Sequence, residues 1–175
     1  VEPYDTVVPP HTRHGTTTIV PTSTVARHEQ TLAFLRNTRE LKRRGPRPPL
    51  GLGRVAGAHL YGPYFNEDKV GCHPKDPARP PTPGEYEQYL EYADVMLTAT
   101  CAPELPGGAD FYRAAASKGV RLNAGHSNAT WSEMAAAHAL GLRHVDHLYC
   151  AMSSVSSLRE RCGTPMQGGM LEFAV

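Results

Sequence analysis

The chain has 175 residues, 40% of them hydrophobic, and a formal net charge of +1. This length and apolar content predict one domain, spanning residues 1–175, with a packed core. The nearly balanced charge argues against nucleic acid as a partner, and no apolar run is long enough for a membrane span or a signal peptide. The four cysteines are widely spaced and form no CxxC pair, which is typical of a reduced, cytoplasmic protein.

Strand and helix patterns alternate along the chain. The predicted strands lie at about 16–20, 55–61, 95–100, 121–126 and 144–148. Gly45–Gly53 and Pro74–Pro83 are predicted to be loops because both are rich in proline or glycine. A Ser-rich loop is predicted after the last of these strands, and Leu171–Val175 is predicted to begin a further strand. The regular alternation predicts an α/β fold with parallel strands.

The stretch from Leu122 to Ser154 contains two short apolar strands, each ending in a histidine, with one helix between them. Thr130 and Glu133 have the spacing of a capping box that begins the helix, and Gly141 supplies its end. A strand–helix–strand unit of this kind makes the two strands parallel neighbours. Period-two alternation predicts that His126 lies on one strand face with Leu122 and Ala124. His126 and His147 are therefore predicted to meet at the carboxyl edge of the sheet, where α/β folds place their chemistry.

Two histidines in that position have three interpretations. They can be ordinary polar residues at the rim of the sheet, a general acid and base, or a pair of metal ligands. Neutral imidazole is a common ligand for zinc and iron. The spacing of the two residues alone does not decide among these interpretations.

The sequence segments around the histidines indicate a family. GHSNAT and HLYCAMSS, together with GAHLYGPYFNEDKVGCHP and the segment Ala102-Pro103-Glu104, resemble the N-acetylglucosamine-6-phosphate deacetylase family of the amidohydrolase superfamily. The four segments occur in the order of that family, and the resemblance covers roughly the whole chain. It implies a TIM barrel, (β/α)8. Because such a barrel needs about 250 residues, the chain is expected to be an internal fragment and to form a partial barrel.

The resemblance implies a metal-dependent hydrolysis of the N-acetyl group of N-acetylglucosamine 6-phosphate. His126 and His147 are then ligands of a divalent metal, zinc or iron, and Tyr61 stands at the position of the glutamate ligand. The family's early HxH motif and its catalytic aspartate have no counterpart in these residues, so no catalytic residue is assigned. The full-length protein is expected to be a homo-oligomer, a dimer. The positions that match the family's substrate contacts are Cys72, His73, Cys150, Ala151 and Arg159.

Some of these matches are incomplete. Cys150 replaces an asparagine, so a side-chain amide is lost, and Arg159 is equally consistent with a solvated loop arginine. Tyr61 is the largest departure, because a phenol with a pKa of about 10 is neutral at pH 7. The chain then binds metal weakly, uses another carboxylate, or has lost activity; the available acids are Glu67, Asp68 and Glu104.

Two other functions remain open. One is a non-catalytic sugar-phosphate-binding or structural remnant, which the tyrosine at position 61 favours. The other is a different amidohydrolase, such as a dihydroorotase or a deaminase. The segment GHSNAT makes this function less favoured, since those enzymes lack it.

Overall fold

Short parallel strands alternate with helices in the computed structural model, which describes residues 2–45, 53–163 and 167–175. The strands are β1 (Thr18–Ile19), β2 (Arg54–Val55), β3 (Ala58–Tyr61), β4 (Met96–Thr100), β5 (Arg121–Ala124) and β6 (Leu142–Val145). The helices are α1 (Glu2–Arg13), α2 (His28–Arg44), α3 (Pro83–Leu90), α4 (Gly108–Ser117), α5 (Trp131–Ala139), α6 (Val155–Cys162) and α7 (Met170–Ala174). A single 3-10 turn, Glu67–Lys69, follows β3.

Four strands form one parallel sheet in the order β3-β4-β5-β6, which is also their order in the chain. A parallel bridge between Thr22 and His59 places the segment after β1 beside β3, and β1 pairs in parallel with β2. The predicted α/β class with parallel strands is therefore confirmed. The described residues form an open part of a barrel and do not close one. None of the helices in the described ranges is long and apolar enough to cross a membrane.

The main core lies between the four-stranded sheet and the helices on one of its faces. Leu60, Ala99 and Leu122 from the strands are at most 3% exposed and pack in one cluster with helix residues such as Phe111 and Met134. Residues that alternate with them, among them His59, Thr98, Asn123 and Asp146, are joined by polar contacts on the opposite face. The sheet therefore has an apolar face toward the helices and a polar face away from them.

The unit from β5 to β6 follows the predicted pattern. The Thr130 hydroxyl accepts a hydrogen bond from the Glu133 amide at 3.3 Å, and the Glu133 carboxylate accepts one from the Thr130 amide at 2.8 Å. This capping box satisfies amide groups that the first turn of α5 leaves without partners. Gly141, with φ of 107°, then allows the chain to leave the helix and enter β6.

Three predicted elements differ in the structure. The strand predicted at 55–61 is divided into β2 and β3, which pair with different neighbours, and the strand predicted at 144–148 lies at Leu142–Val145. The prediction of a strand at Leu171–Val175 was wrong. All of these residues except Val175 belong to α7, because the Glu172 carboxylate accepts hydrogen bonds from the amides of Gly169 and Val155 and so starts a helix. Most of the loop predicted at Gly45–Gly53 lies outside the described residues.

The Ser-rich stretch is also not a simple loop. Ser154 caps the start of α6, and its hydroxyl accepts a hydrogen bond from the Ser157 amide at 3.4 Å. Serine at the residue before a helix is a common cap, so a signal for this helix was present in the sequence.

Candidate active site

Three side chains from three different strands meet at the carboxyl edge of the sheet. The Tyr61 hydroxyl lies 2.6 Å from the Nε2 atoms of both His126 and His147. The two Nε2 atoms are 3.0 Å apart. Tyr61 is the last residue of β3, and the histidines follow the ends of β5 and β6. The predicted convergence of the two histidines is confirmed, and we refer to these three residues as the Tyr–His–His cluster.

The two histidines reach this position through unusual backbone conformations. His126 and His147 have φ angles of 49° and 22°, in the left-handed region that residues with side chains rarely adopt. The alternation of the strand has ended before each of them, so His126 does not share the face of Leu122 and Ala124, which pack in the core. That part of the sequence prediction was wrong, since strand periodicity cannot foresee a left-handed residue just beyond a strand.

Backbone carbonyls fix the orientation of both rings. The Nδ1 atom of His126 lies 2.7 Å from the carbonyl oxygen of Lys69, and that of His147 lies 3.0 Å from the carbonyl oxygen of Cys150. A carbonyl oxygen only accepts, so each Nδ1 carries the proton and donates it. In their neutral forms both rings therefore present the lone pair of Nε2 to the centre of the cluster. Hydrogen bonds of this kind orient the histidine ligands of metal ions in proteins.

Burial keeps two members of the cluster, His126 and Tyr61, uncharged. His126 is only 4% exposed and stacks on Phe65 with ring centres 4.0 Å apart. Burial lowers the pKa of His126 to about 4 and raises the pKa of the Tyr61 phenol above its ordinary value of 10.0. At neutral pH the cluster therefore contains neutral His126 and an un-ionised phenol. His147 is exposed, so the cluster opens to solvent on its side.

The donor set suits a divalent metal in part. Two ligands about 2.0–2.1 Å from one tetrahedral metal lie about 3.3–3.4 Å apart, close to the 3.0 Å between the two Nε2 atoms. The third nearby donor is the phenol, which brings no negative charge. Within the part of the chain that the structure describes, no three His, Cys, Asp or Glu side chains converge to hold a metal. The two imidazoles can therefore serve as metal ligands. The residue at position 61 is a tyrosine and lacks the carboxylate that the family resemblance implies.

Glu104, one of the acids considered from sequence, has a different position. Its carboxylate accepts hydrogen bonds from the Ser127 hydroxyl at 2.6 Å, the Asn128 amide at 2.6 Å and the Asn66 side chain at 3.0 Å. The Asn66 amide in turn donates to the carbonyl of His126 at 3.0 Å. Glu104 therefore joins the loops that follow β3, β4 and β5 around His126. Glu67 and Asp68 lie exposed in the 3-10 turn.

The residues predicted to contact substrate are divided between the rim and an outer helix. His73 lies in the rim, with its ring centre 5.1 Å from that of His126 and its Nδ1 atom 2.8 Å from the Thr24 hydroxyl. Cys72 is a free, exposed thiol beside it.

Cys150 and Ala151 follow His147 in the next loop. Cys150 is a second free, exposed thiol, and Ala151 has φ of 52°. Arg159 is an exposed residue of α6. The structure therefore places Cys72, His73, Cys150 and Ala151 in the loops that border the cluster, and Arg159 on α6.

Several known proteins are similar to this chain in both sequence and fold. No protein-family profile matches. N-acetylglucosamine-6-phosphate deacetylase from Haemophilus influenzae is 32% identical over 163 residues, covering 91% of this chain and 40% of that protein. The crystal structure of N-acetylglucosamine-6-phosphate deacetylase from Pasteurella multocida superposes with a TM-score of 0.78 and 27% identity, over 91% of this chain and 38% of that one. The chain belongs to the N-acetylglucosamine-6-phosphate deacetylase family.

The similarity extends to a relative with a different sugar in its name. N-acetylgalactosamine-6-phosphate deacetylase from Escherichia coli O157:H7 is 30% identical over 145 residues, covering 82% of this chain and 37% of that protein. The chain spans about two fifths of the length of these deacetylases. Family membership therefore leaves the configuration of the sugar open.

Proposed function

We propose that the full-length protein containing this chain is a metal-dependent amidohydrolase. It adds water across the amide of N-acetylglucosamine 6-phosphate and releases glucosamine 6-phosphate and acetate. The observation that carries the proposal is the convergence of two oriented Nε2 lone pairs, 3.0 Å apart, at the carboxyl edge of a parallel sheet. The names of the relatives support the substrate class, and we place the enzyme in the cytoplasm as a dimer.

In this proposal His126 and His147 hold a divalent metal, zinc or iron, and Tyr61 stands at the third ligand position. When bound, the metal polarises the amide carbonyl and lowers the pKa of water. The protein residues hold the site in place: the carbonyls of Lys69 and Cys150 fix the two rings in the required tautomer. Tyr61 keeps a hydroxyl beside the pair. No residue of this chain is assigned as the base that moves the proton.

The substrate lies, in this proposal, on the rim formed by the loops after β3 and β6. Cys72 and His73 border it on one side, and Cys150 and Ala151 border it on the other. His73 is held by the Thr24 hydroxyl, and burial lowers its pKa, so it meets the substrate as a neutral ring. Arg159 is proposed as a phosphate partner from α6, where its side chain is exposed.

Acetate release tests the proposal. The full-length protein is stripped with a chelator, reloaded with zinc or with ferrous iron, and assayed on N-acetylglucosamine 6-phosphate, N-acetylgalactosamine 6-phosphate and N-acetylglucosamine. We expect metal-dependent acetate release that requires the phosphate. His126→Gln and His147→Gln should lose activity and metal together, while His14→Gln, an exposed histidine after α1, serves as the matched control. A reloaded protein that binds zinc without releasing acetate would exclude hydrolysis.

Tyr61 favours one alternative function, a non-catalytic sugar-phosphate-binding remnant of the family. The phenol has a pKa raised by burial and lies within hydrogen-bond distance of both imidazoles, so it occupies the cluster without a negative charge. Saturable binding of N-acetylglucosamine 6-phosphate with no acetate release in any metal form would support this alternative.

A further inference from the structure

A carboxylate is buried directly behind the imidazole pair. Asp146 is 6% exposed and precedes His147, and its amide donates to the carbonyl of Ala124 at 2.9 Å. A Cβ atom built on Gly125, the residue before His126, would lie 2.6 Å from Oδ2 of Asp146. The carboxylate therefore lies against the two backbone segments that carry the histidines.

Donors from two other strands hold this carboxylate. The Thr100 hydroxyl donates to Oδ2 at 2.7 Å, and the Asn123 side-chain amide donates to Oδ1 at 3.1 Å. Because the Thr100 hydroxyl gives its proton to Asp146, Nε2 of His59, at 2.8 Å, must donate to the Thr100 oxygen. Both oxygens of Asp146 thus accept hydrogen bonds, which is the role of an ionised carboxylate. The network joins β3, β4, β5 and the end of β6.

No lysine or arginine in the described ranges forms an ion pair with Asp146. The exposed His144 places its Nε2 atom 3.6 Å from Oδ1, and His59 interacts with the carboxylate electrostatically. A buried carboxylate without a permanent cation is costly, and such charges in proteins are paired or lie near metal ions. The neighbouring place for a cation is the Tyr–His–His cluster, where burial keeps the Tyr61 phenol and the His126 ring uncharged.

We propose that Asp146 is a positioning residue that supplies the fixed negative charge behind the metal held by His126 and His147. The inference rests on the proposed function, and it explains how a site with tyrosine in place of a carboxylate retains a divalent cation. Asp146 acts through the field of its charge and through the backbone of Gly125, without contacting the metal. Its hydrogen bonds to Thr100 and Asn123 hold that charge in place.

The charge of Asp146 already acts on the cluster. After burial, which is the largest cause, it is the next contributor to the raised pKa of Tyr61. At His126 it opposes the burial that lowers the pKa of the ring. A negative charge that disfavours a phenolate and favours an imidazolium also favours a metal cation at the same place.

Zinc titration of the full-length protein by calorimetry, at one neutral pH, tests the inference. Asp146→Asn keeps the size of the side chain and removes its charge, and we expect zinc affinity to fall about 10–100-fold, the usual effect of changing an outer partner of metal ligands. Thr100→Val breaks a hydrogen bond of the same network and keeps the charge, so its affinity should change less than about threefold. Asp110→Asn removes an exposed carboxylate paired with Arg113 and controls for net charge.

The outcomes separate the two proposals. Equal zinc affinity of the wild type and Asp146→Asn overturns the role of Asp146 and leaves the metal site standing. An equal loss in Asp146→Asn and Thr100→Val also overturns it, since the hydrogen bonds and not the charge would then matter. No zinc binding by the wild type overturns the metal site and the role of Asp146 together. Should Asp146→Asn fail to fold, Asp146→Ser provides a second neutral side chain for the same comparison.

Discussion

The Nε2 atoms of His126 and His147 face each other at 3.0 Å while each ring donates through Nδ1 to a carbonyl. Neither nitrogen can then donate to the other, and the Tyr61 hydroxyl has one proton for two acceptors. One lone pair is therefore left without a donor among these three groups. A cation bound by both nitrogens would satisfy the two lone pairs at once, which supports the proposed metal site.

Replacing Tyr61 by glutamate should tighten metal binding. The substitution returns a negative charge and a hard oxygen donor to the end of β3, beside the imidazole pair. Restoring a direct ligand should raise zinc affinity at least about tenfold, the lower end of the effect of removing ligand partners. Calorimetric zinc titration of the full-length wild type and Tyr61→Glu measures the change.

Tyr61→Gln is the matched control, because it has the shape of glutamate without the charge. We expect its zinc affinity to remain near that of the wild type. Equal affinities for Tyr61→Glu and the wild type would remove position 61 from the metal site, and no binding by either protein would favour the non-catalytic alternative.

Acid should destabilise the fold through His126. Burial lowers its folded-state pKa to about 4, below the ordinary value of 6.5. Between these pH values the unfolded chain binds a proton that the folded chain does not, so the free energy of unfolding falls as pH drops from about 6.5 to about 4. Above a pH of about 6.5 both states hold a neutral His126, so this loss of stability is absent there. Burial lowers the pKa of His59 and His73 and acts in the same direction.

Denaturant unfolding at about pH 7 and about pH 5 measures this dependence. The metal is removed before the measurement, so that ligand binding does not contribute. His126→Gln should show a smaller loss of stability between the two conditions than the wild type, and His14→Gln should match the wild type. A His126→Gln protein with an unchanged pH dependence would contradict the assignment.

Gly125→Ala should destabilise the protein and weaken the metal site. The new Cβ would lie 2.6 Å from Oδ2 and 3.1 Å from Cβ of Asp146, so the buried carboxylate or the strand end must move. We expect a loss of about 1–3 kcal/mol in the free energy of unfolding, as for other overpacked positions, with lower zinc affinity. Gly84→Ala is the control: nothing lies within 4 Å of its Cβ position in α3, and the change should be neutral or stabilising.

Glu104→Gln should loosen the loops around His126. The amide group of glutamine would face the Asn128 amide or the Ser127 hydroxyl, so at least one of the three donors loses its acceptor. The loss should be about 1–3 kcal/mol, and hydrogen exchange at Asn128 should become faster. Glu67→Gln, at an exposed position, should leave both measurements unchanged. Unaltered exchange at Asn128 in Glu104→Gln would show that the carboxylate does not hold the loop.

The sequence predicted the parts of the fold that depend on local patterns. The apolar strands, the Thr130–Glu133 cap and the glycine end of α5 are each set by neighbouring residues, so they could be recognised without the structure. The strand–helix alternation then placed His126 and His147 at one edge. Topology predicted the shared edge, whereas the left-handed backbone conformations that turn both rings into the cluster could not be recognised from strand periodicity.

Other features depend on contacts between distant residues. Nothing near Glu104 in the sequence shows that its carboxylate reaches Ser127, Asn128 and Asn66. The hydrogen-bond network of Asp146 was also missed, because its partners Thr100 and Asn123 come from other strands. The error at Leu171–Val175 has a similar origin: a short apolar run became a helix once Glu172 could accept the amide of Val155 from another segment.

The polar face of the sheet has a consequence for the way the strands align. In β6 and the residue after it, His144 and Asp146 lie on the side of Thr100 and Asn123, while Val145 packs against the core. A slip of one residue against β5 would drive the carboxylate into the apolar layer and leave Thr100 and Asn123 facing a valine. Such burial of an unpaired charge costs several kcal/mol, which excludes the shifted alignment. Asp146 thus fixes the register of β6 against β5. The separation of the two histidines is therefore determined when these strands pair.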